Sequence, residues 1–275
     1  MLKQRVITAV VLLVLLVGAL AWSAFAFELL ATVVVAVALG EWMRLVGWSR
    51  AVAVAGAALF GIVLATIALA APEWIALALL PLSVLATIVW GALAVLLLQS
   101  DAMALRLPRG ASTALAVLMT AAAWVALVHF LLEGVVVLFS VLVIVWRADT
   151  AAYFAGRAFG KRKLAPHISP GKTWAGVVGA MVAVIAVALI AWQVAPDAHL
   201  LSNLLLDGLG ALGAVLLAAV VMVSVVGDLF ESLLKRQAGA KDSSRLLPGH
   251  GGVYDRIDAL LPTLPLAAVL EWIAR

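Results

Sequence analysis

The residues best suited to chemistry lie between positions 227 and 258, in GDLFESLLKRQAGAKDSSRLLPGHGGVYDRID. Asp228, Glu231, Ser232 and Lys235 fall at i, i+3, i+4 and i+7, so a helix there presents them as one polar stripe, which Arg236 extends. Asp255 and Asp258, with Arg256 between them, make a second acidic pair at i, i+3. Between the two groups come Lys241, Asp242 and the flexible run Gly249-His250-Gly251-Gly252. Carboxylates converging from two helix ends are hard oxygen donors for Mg²⁺, which keeps waters and substrate phosphates in its other positions. Interleaved Lys and Arg neutralise further phosphate oxygens, and glycines beside His250 let backbone approach a nucleotide closely. A metal, a cationic clamp and an adaptable backbone are the requirements of phosphoryl or nucleotidyl transfer. A loop that merely crosses solvent between two helices does not need so dense a mixture of charges.

A second polar region precedes it. Asp149, Tyr153 and Arg157 are spaced i, i+4, i+8, roughly on one helix face, and ionisable groups inside apolar helices mark function by default. The bland alternative is an Arg147–Asp149 or Asp149–Arg157 pair that neutralises itself. Gly156 and Gly160 form a GxxxG, a weak signal of close helix packing. The segment that follows, KRKLAPHISPGKTW, reads as a loop. Its Gly171-Lys172-Thr173 resembles the tail of a P-loop, but Pro166 stands where the first glycine belongs, so that motif fails. Lys161 to Lys163 suit anionic lipid head groups at a membrane surface, whereas Lys172, just before the next apolar run, is the better phosphate contact.

The elements that carry these residues are membrane helices. Of the 275 residues, 67% are hydrophobic and 12% charged, with a mean hydropathy of +1.22. Soluble domains are roughly 45–50% apolar and about 25% charged. Apolar runs at about 6–24, 26–43, 51–71, 74–98, 111–132, 134–156, 174–195, 209–234 and 257–273 each approach the roughly 20 residues a span needs. That excludes a single anchor, a disordered chain and a β-barrel with its alternating pattern. The first run also has the look of a signal peptide, but with eight more spans behind it we expect an uncleaved helix. Cysteine is absent, which removes disulfides, thiol nucleophiles and Cys-ligated metal. With the N-terminus placed in the cytoplasm, all of the 18 Lys and Arg except Arg147 and Arg275 fall on the cytoplasmic side. Glu73, Glu133, Asp197 and Asp207 fall opposite. The positive-inside rule therefore predicts nine spans, N-in and C-out, and the net charge of +4 reflects topology rather than nucleic-acid binding. Glu28 and Glu41 sit near span ends, where a solvated carboxylate costs little, and His129 reads as a hydrogen-bonded helix histidine. The expected fold is thus an all-α polytopic membrane protein. Residues 1–132 form five N-terminal spans, and residues 133–275 form a catalytic region with cytoplasmic loops at 157–173 and 235–256.

Ser232 to Asp258, with its S-L-L-K-R, K-D-S-S-R-L-L-P-G-H-G-G-V-Y-D-R-I-D pattern, resembles the full signature of the CDP-diacylglycerol synthases, or phosphatidate cytidylyltransferases. Ala148-Asp149-Thr150-Ala151-Ala152-Tyr153, Gly156-Arg157 and Ile168 to Trp174 are similar to a second stretch of that family. Arg147, where a small residue is usual, and Ala175, where Glu or Gln is usual, depart from it. The resemblance implies that CTP and phosphatidic acid react with Mg²⁺ to give CDP-diacylglycerol and pyrophosphate. It implies Asp228 and Asp255 as metal ligands, with Asp258 and Asp242 as second choices for ligands or for support of Lys and Arg. It assigns Lys235, Arg236, Lys241 and Lys172 to the triphosphate and lipid phosphate, with Ser232 and His250 nearer the nucleotide or metal shell. Arg256, Asp149 and Tyr153 join the expected substrate contacts. A two-metal site, with Mn²⁺ able to substitute, and a homodimer in the bacterial inner membrane with its site facing the cytoplasm complete the expectation. The lipid's own phosphate is already a nucleophile, which agrees with the missing cysteine. Two other classes compete: a CTP-dependent polyprenol or lipid-alcohol kinase, and a transporter. The transporter is disfavoured because the charges gather at one membrane face and no inverted repeat is visible.

Overall fold

The computed structural model describes residues 2–99 and 102–275, and the side chains of Leu2, Lys3 and Ala102 lie outside the description. The chain folds into helices α1 (Leu2–Trp22), α2 (Ala24–Leu45), α3 (Arg50–Ala70), α4 (Glu73–Leu97), α5 (Arg109–Glu133), α6 (Val135–Phe159), α7 (Trp174–Val194), α8 (Leu201–Leu209), α9 (Ala211–Gln237), α10 (Tyr254–Ile257) and α11 (Leu260–Ala274). Among the described residues, nine stretches are long and apolar enough to cross a membrane: α1 to α7, α9, and α10 with α11 as one broken rod. Ser23, Ser49 and Thr173 cap α2, α3 and α7 by accepting the free backbone N–H three residues on.

With no hydrophobic effect between helices in lipid, packing falls to small residues and hydrogen bonds. Both are present. The α6–α7 contact is built of Ala152, Ala155, Gly156, Gly176 and Gly179: a methyl on Gly176 would meet the Ala152 carbonyl at 2.9 Å. The GxxxG therefore does mark close packing. Between α2 and α5, indole N–H groups reach hydroxyls, Trp42 to Ser112 at 3.0 Å and Trp124 to Thr32 at 2.9 Å. Trp48 reaches Thr113 at 2.9 Å beside them. Fully buried Trp42 lies between Phe230 of α9 and Tyr254 of α10, each with ring centroids 5.2 Å away. The N-terminal spans are thereby fastened to the two helices that carry the richest polar sequence.

Two elements differ from the sequence expectation. The segment expected as a loop after α6 contains an antiparallel hairpin, β1 (Lys163–Ala165) and β2 (Ser169–Thr173), with Lys163 opposite Thr173. Its strands are too short for alternation to show, yet Leu164, Ala165 and Ile168 are buried against the helices. Arg162 lies over the ring of Trp174 at 5.8 Å. The second element is α8, which ends at Gly210 (φ +56) instead of running into α9. It is held by the Asn203 amide donating to the Ala195 carbonyl at 2.8 Å and by Leu201 N–H donating to Ser140 at 3.0 Å.

Candidate active site

Three elements meet at the end of the bundle where α6, α9 and the hairpin come together. β2 runs into the Thr173 cap of α7, which fixes Lys172 one residue before the cap. Its ammonium meets the Asp228 carboxylate of α9 at 2.7 Å. Gly227 lets α10–α11 approach, since any side chain there would strike the Asp258 carbonyl and the Pro262 ring. Pro262 has no N–H for that carbonyl to accept, and the rod is broken at Asp258-Ala259. Asp258 and Ala259 keep helical dihedrals, so only the hydrogen-bond ladder is interrupted there. Carboxylate oxygens of Asp228, Glu231 and Asp258 come within 4.8 Å of one another. Asp149 of α6 lies within electrostatic reach of Asp228, Lys172 and Asp258.

Asp255, one turn earlier, faces a neighbouring layer. One of its oxygens takes the Lys235 ammonium at 2.7 Å. The other accepts from Ser243 N–H at 2.8 Å, Ser243 hydroxyl at 2.7 Å and Gly252 N–H at 2.8 Å. Lys235 also pairs with Glu231, so the two layers share a lysine. The expected Asp228–Asp255 pair is not what converges; Asp228, Glu231 and Asp258 do. The i, i+3 spacing alone could not foretell that, because which carboxylate meets Asp228 and Glu231 depends on how α9 packs against α10–α11 at Gly227.

The other expected residues divide plainly. Ser232 donates to Asp228 at 3.3 Å, and the Arg236 guanidinium donates to the Ile168 carbonyl at 3.3 Å, tying α9 to the hairpin. Lys241, Asp242 and Arg256 are exposed around the loop and form no ion pair among the described residues. His250 is half-buried, with Nδ1 buried and unpartnered. Tyr153 is exposed and takes a long 3.4 Å contact from Arg157, standing apart from the carboxylates. Asp149 pairs with neither Arg147 nor Arg157, so the self-neutralising alternative is not formed.

Glu41 corrects the sequence expectation. It is buried, 6% exposed, rather than solvated at a span end. Its carboxylate accepts from Ser243 (2.9 Å), Ser244 (2.6 Å), Val253 N–H (3.1 Å) and Tyr254 N–H (2.7 Å). A charge from α2 thereby gathers both ends of the loop that holds Asp255. Gly252 is packed so tightly there that any side chain would collide with Ser243 and Glu41, while Gly251 (φ +82) turns the chain against Asp255. The local pattern offered one clue, an ionisable residue within an apolar run.

The three-carboxylate set suits a hard divalent cation by the chemistry of its donors. Glu231 Oε1 is buried without a hydrogen-bond partner, as is the Tyr254 hydroxyl, and buried polar groups normally have one. The residues fit a metal.

Residues 3–274 match the cytidylyltransferase family. The phosphatidate cytidylyltransferase of Pseudomonas aeruginosa is 42% identical over 286 aligned positions, covering 100% of this chain and 98% of that protein. Phosphatidate cytidylyltransferases of Haemophilus influenzae (48% identical; 48% of this chain, 44% of that one) and Staphylococcus epidermidis (44% identical; 50% of each) match over about half of the chain.

Proposed function

The chain belongs to the cytidylyltransferase family, and from that membership we propose how its residues transfer the cytidylyl group of CTP to phosphatidic acid. The products are CDP-diacylglycerol, for phospholipid biosynthesis, and pyrophosphate. The observation that carries the assignment of the site is the convergence of Asp228, Glu231 and Asp258, with Lys172 against Asp228. These three carboxylates would hold Mg²⁺, or Mn²⁺ in its place, with Asp149 flanking them, while Asp255 stays engaged by Lys235, Ser243 and Gly252. When bound, the ion neutralises phosphate oxygens and draws charge from the α-phosphorus under attack.

The protein's remaining work is positioning and charge neutralisation, as in other transfers at phosphorus. Lys172 is held by Asp228 at the meeting of the hairpin and α9, where it can exchange that carboxylate for a substrate phosphate. Lys235, fixed between Glu231 and Asp255, keeps the two layers in register. Lys241 and Arg256, exposed at the rim, receive the triphosphate, and Ser232 and His250 lie on the nucleotide side. An oxygen of the lipid phosphate, already anionic, bonds to the α-phosphorus of CTP. The bond from that phosphorus to the β-bridging oxygen breaks, and its electron pair leaves with pyrophosphate. No general base is needed.

The distribution of Lys and Arg supports an inner-membrane protein, N-in and C-out, with this face toward cytoplasmic CTP, and the family resemblance supports a homodimer. The test is to incubate the purified protein with CTP, phosphatidic acid and Mg²⁺. A cytidine-containing lipid and equimolar pyrophosphate are expected. A phosphorylated lipid alcohol without cytidine would replace the proposal with the kinase. A cysteine placed at Ala240 of this cysteine-free chain should react only with reagents that enter the cytoplasm.

A further inference from the structure

A large cavity lies away from the carboxylates. It is a groove of about 1160 Å³ between α2 and α3, closed at one end by the loop after α9. That is more room than the roughly 300–1,000 Å³ of a drug-sized site. Leu29, Val33, Val37, Val54, Ala58 and Ile62 make up much of its wall. The uncharged and acidic polar groups on that wall are already satisfied. Thr32 donates to the Glu28 carbonyl and accepts from Trp124; Ser243 and Ser244 donate to Glu41.

The exceptions are Arg44, Arg50 and Arg245, at the loop end of the groove. They are exposed, and among the described residues none forms an ion pair. Positive-inside topology accounts for Arg44 and Arg50 at the ends of α2 and α3. It gives no reason for Arg245, from a loop far along the chain, to converge on the same mouth. A long apolar slot ending in three exposed guanidiniums without carboxylate partners among the described residues, Arg44 also donating to the Trp48 carbonyl, matches an amphiphile with an anionic phosphate head. Guanidinium forks bind phosphate oxygens two at a time, and basic pockets between membrane helices receive lipid head groups. Three cations match a dianionic phosphomonoester better than a singly charged diester.

We propose that this groove holds the lipid substrate, an acyl chain between α2 and α3 and the phosphomonoester on Arg44, Arg50 and Arg245, before transfer. The inference rests on the function given above. The groove adjoins the layer of Asp255: Ser243, on its wall, donates to Asp255 at 2.7 Å.

The test measures binding of a fluorescent-chain phosphatidic acid to the full-length protein in detergent, without CTP or metal, and then steady-state kinetics with lipid and CTP varied separately. Two variants act on different parts of the groove: Arg50→Ala with Arg245→Ala at the mouth, and Ala58→Trp in the slot. Each should weaken phosphatidic acid binding and raise its KM by about tenfold, as loss of charge-assisted phosphate contacts or of chain space requires. kcat and the KM for CTP should stay within about twofold. Unchanged phosphatidic acid binding in both variants overturns the proposal. So does an equal loss for phosphatidylcholine of the same chains, which means unspecific lipid contact, or equally tight binding of phosphatidylglycerol, which means a general anionic-lipid site. A change of oligomeric state on Ala58→Trp would make the groove an interface between copies and also overturn it. Asp228→Asn separates the two levels: it should bind phosphatidic acid normally and lose roughly 10³-fold in kcat. If its kcat is unchanged, the carboxylate assignment falls while the groove result stands.

Discussion

Two clusters of charge occupy opposite ends of the same bundle, and they are built on different rules. Where α5 ends and α11 ends, Glu271 meets His129 at 2.6 Å and Arg275 at 2.7 Å, and Arg275 also takes Glu133. Every carboxylate there has a cation or an imidazole. At the other end, Asp149, Asp228, Glu231, Asp255 and Asp258 gather around only Lys172 and Lys235 among the described residues. One oxygen of Glu231 and the Tyr254 hydroxyl are left buried without partners. A polar group in a membrane span is costly in either case. The balanced cluster recovers that cost internally and fastens helices. The unbalanced one recovers it only when cations arrive from outside, which is what a metal-dependent transfer of phosphates supplies. Imbalance, more than charge itself, separates the working end from the fastening end.

The largest expected effect is metal removal. EDTA should reduce cytidylyl transfer to background, and Mg²⁺ should restore it, while the melting temperature of the far cluster's helices stays nearly constant. Full turnover in metal-free buffer would falsify the role given to the acidic end. Next comes Asp228→Asn, which keeps shape and deletes one negative charge from the convergent set. Loss of about 4 kcal/mol of transition-state stabilisation corresponds to roughly a 10³-fold fall in kcat, with the Mg²⁺ activation curve shifted to higher concentration. Asp255→Asn should also lower kcat, but with its Mg²⁺ curve nearly in place, because its oxygens are engaged by Lys235, Ser243 and Gly252. A shifted curve for Asp255→Asn and not for Asp228→Asn would exchange their roles.

Glu41→Gln should fall between these and wild type. The amide loses the charge that strengthens four hydrogen bonds and presents N–H to donors that need an acceptor. Bonds to charged groups contribute about 1.5–3 kcal/mol each, and water and rearrangement recover part of that. A fall in kcat of roughly 10- to 100-fold is expected, while the KM for CTP changes less. Unchanged kinetics would mean that the loop keeps its form without α2.

Hydropathy made the nine spans legible because a bilayer imposes length and composition on every helix. The acidic stripe of α9 was equally legible, since i, i+3, i+4, i+7 is a property of one helix. What escaped was whatever depends on distant partners. Glu41 looks ordinary beside Trp42 and Arg44, and its meaning lies in Ser243, Ser244, Val253 and Tyr254. Glu231 belongs to the stripe, but its place beside Asp258 depends on how α9 and α10–α11 pack at Gly227, which one helix's pattern does not contain. The hairpin and α8 are too short for periodicity to declare.

The smallest effect belongs to the fastening end. Glu271→Gln removes the charge between His129 and Arg275 but leaves an amide of the same shape, able to bond to either neighbour. Arg275 keeps Glu133 as a partner. Interhelical polar contacts in membrane proteins contribute only about 0.6 kcal/mol on average, reaching about 1.7, so a loss of about 1 kcal/mol is expected. For a chain of this size that lowers the melting temperature by roughly 2–4 °C. Because α11 begins at the catalytic end and finishes here, a rigid rod would transmit that loss to Asp258. Pro262 and Pro265 each remove a backbone hydrogen bond from the rod, which makes such transmission weak. kcat should therefore stay within about twofold of wild type while stability falls, the reverse of the pattern for Asp228→Asn. Thermal unfolding and steady-state kinetics on the same preparations measure both. A kcat loss above tenfold in Glu271→Gln would show that the two ends are one coupled network, and the division between working and fastening charge would fail.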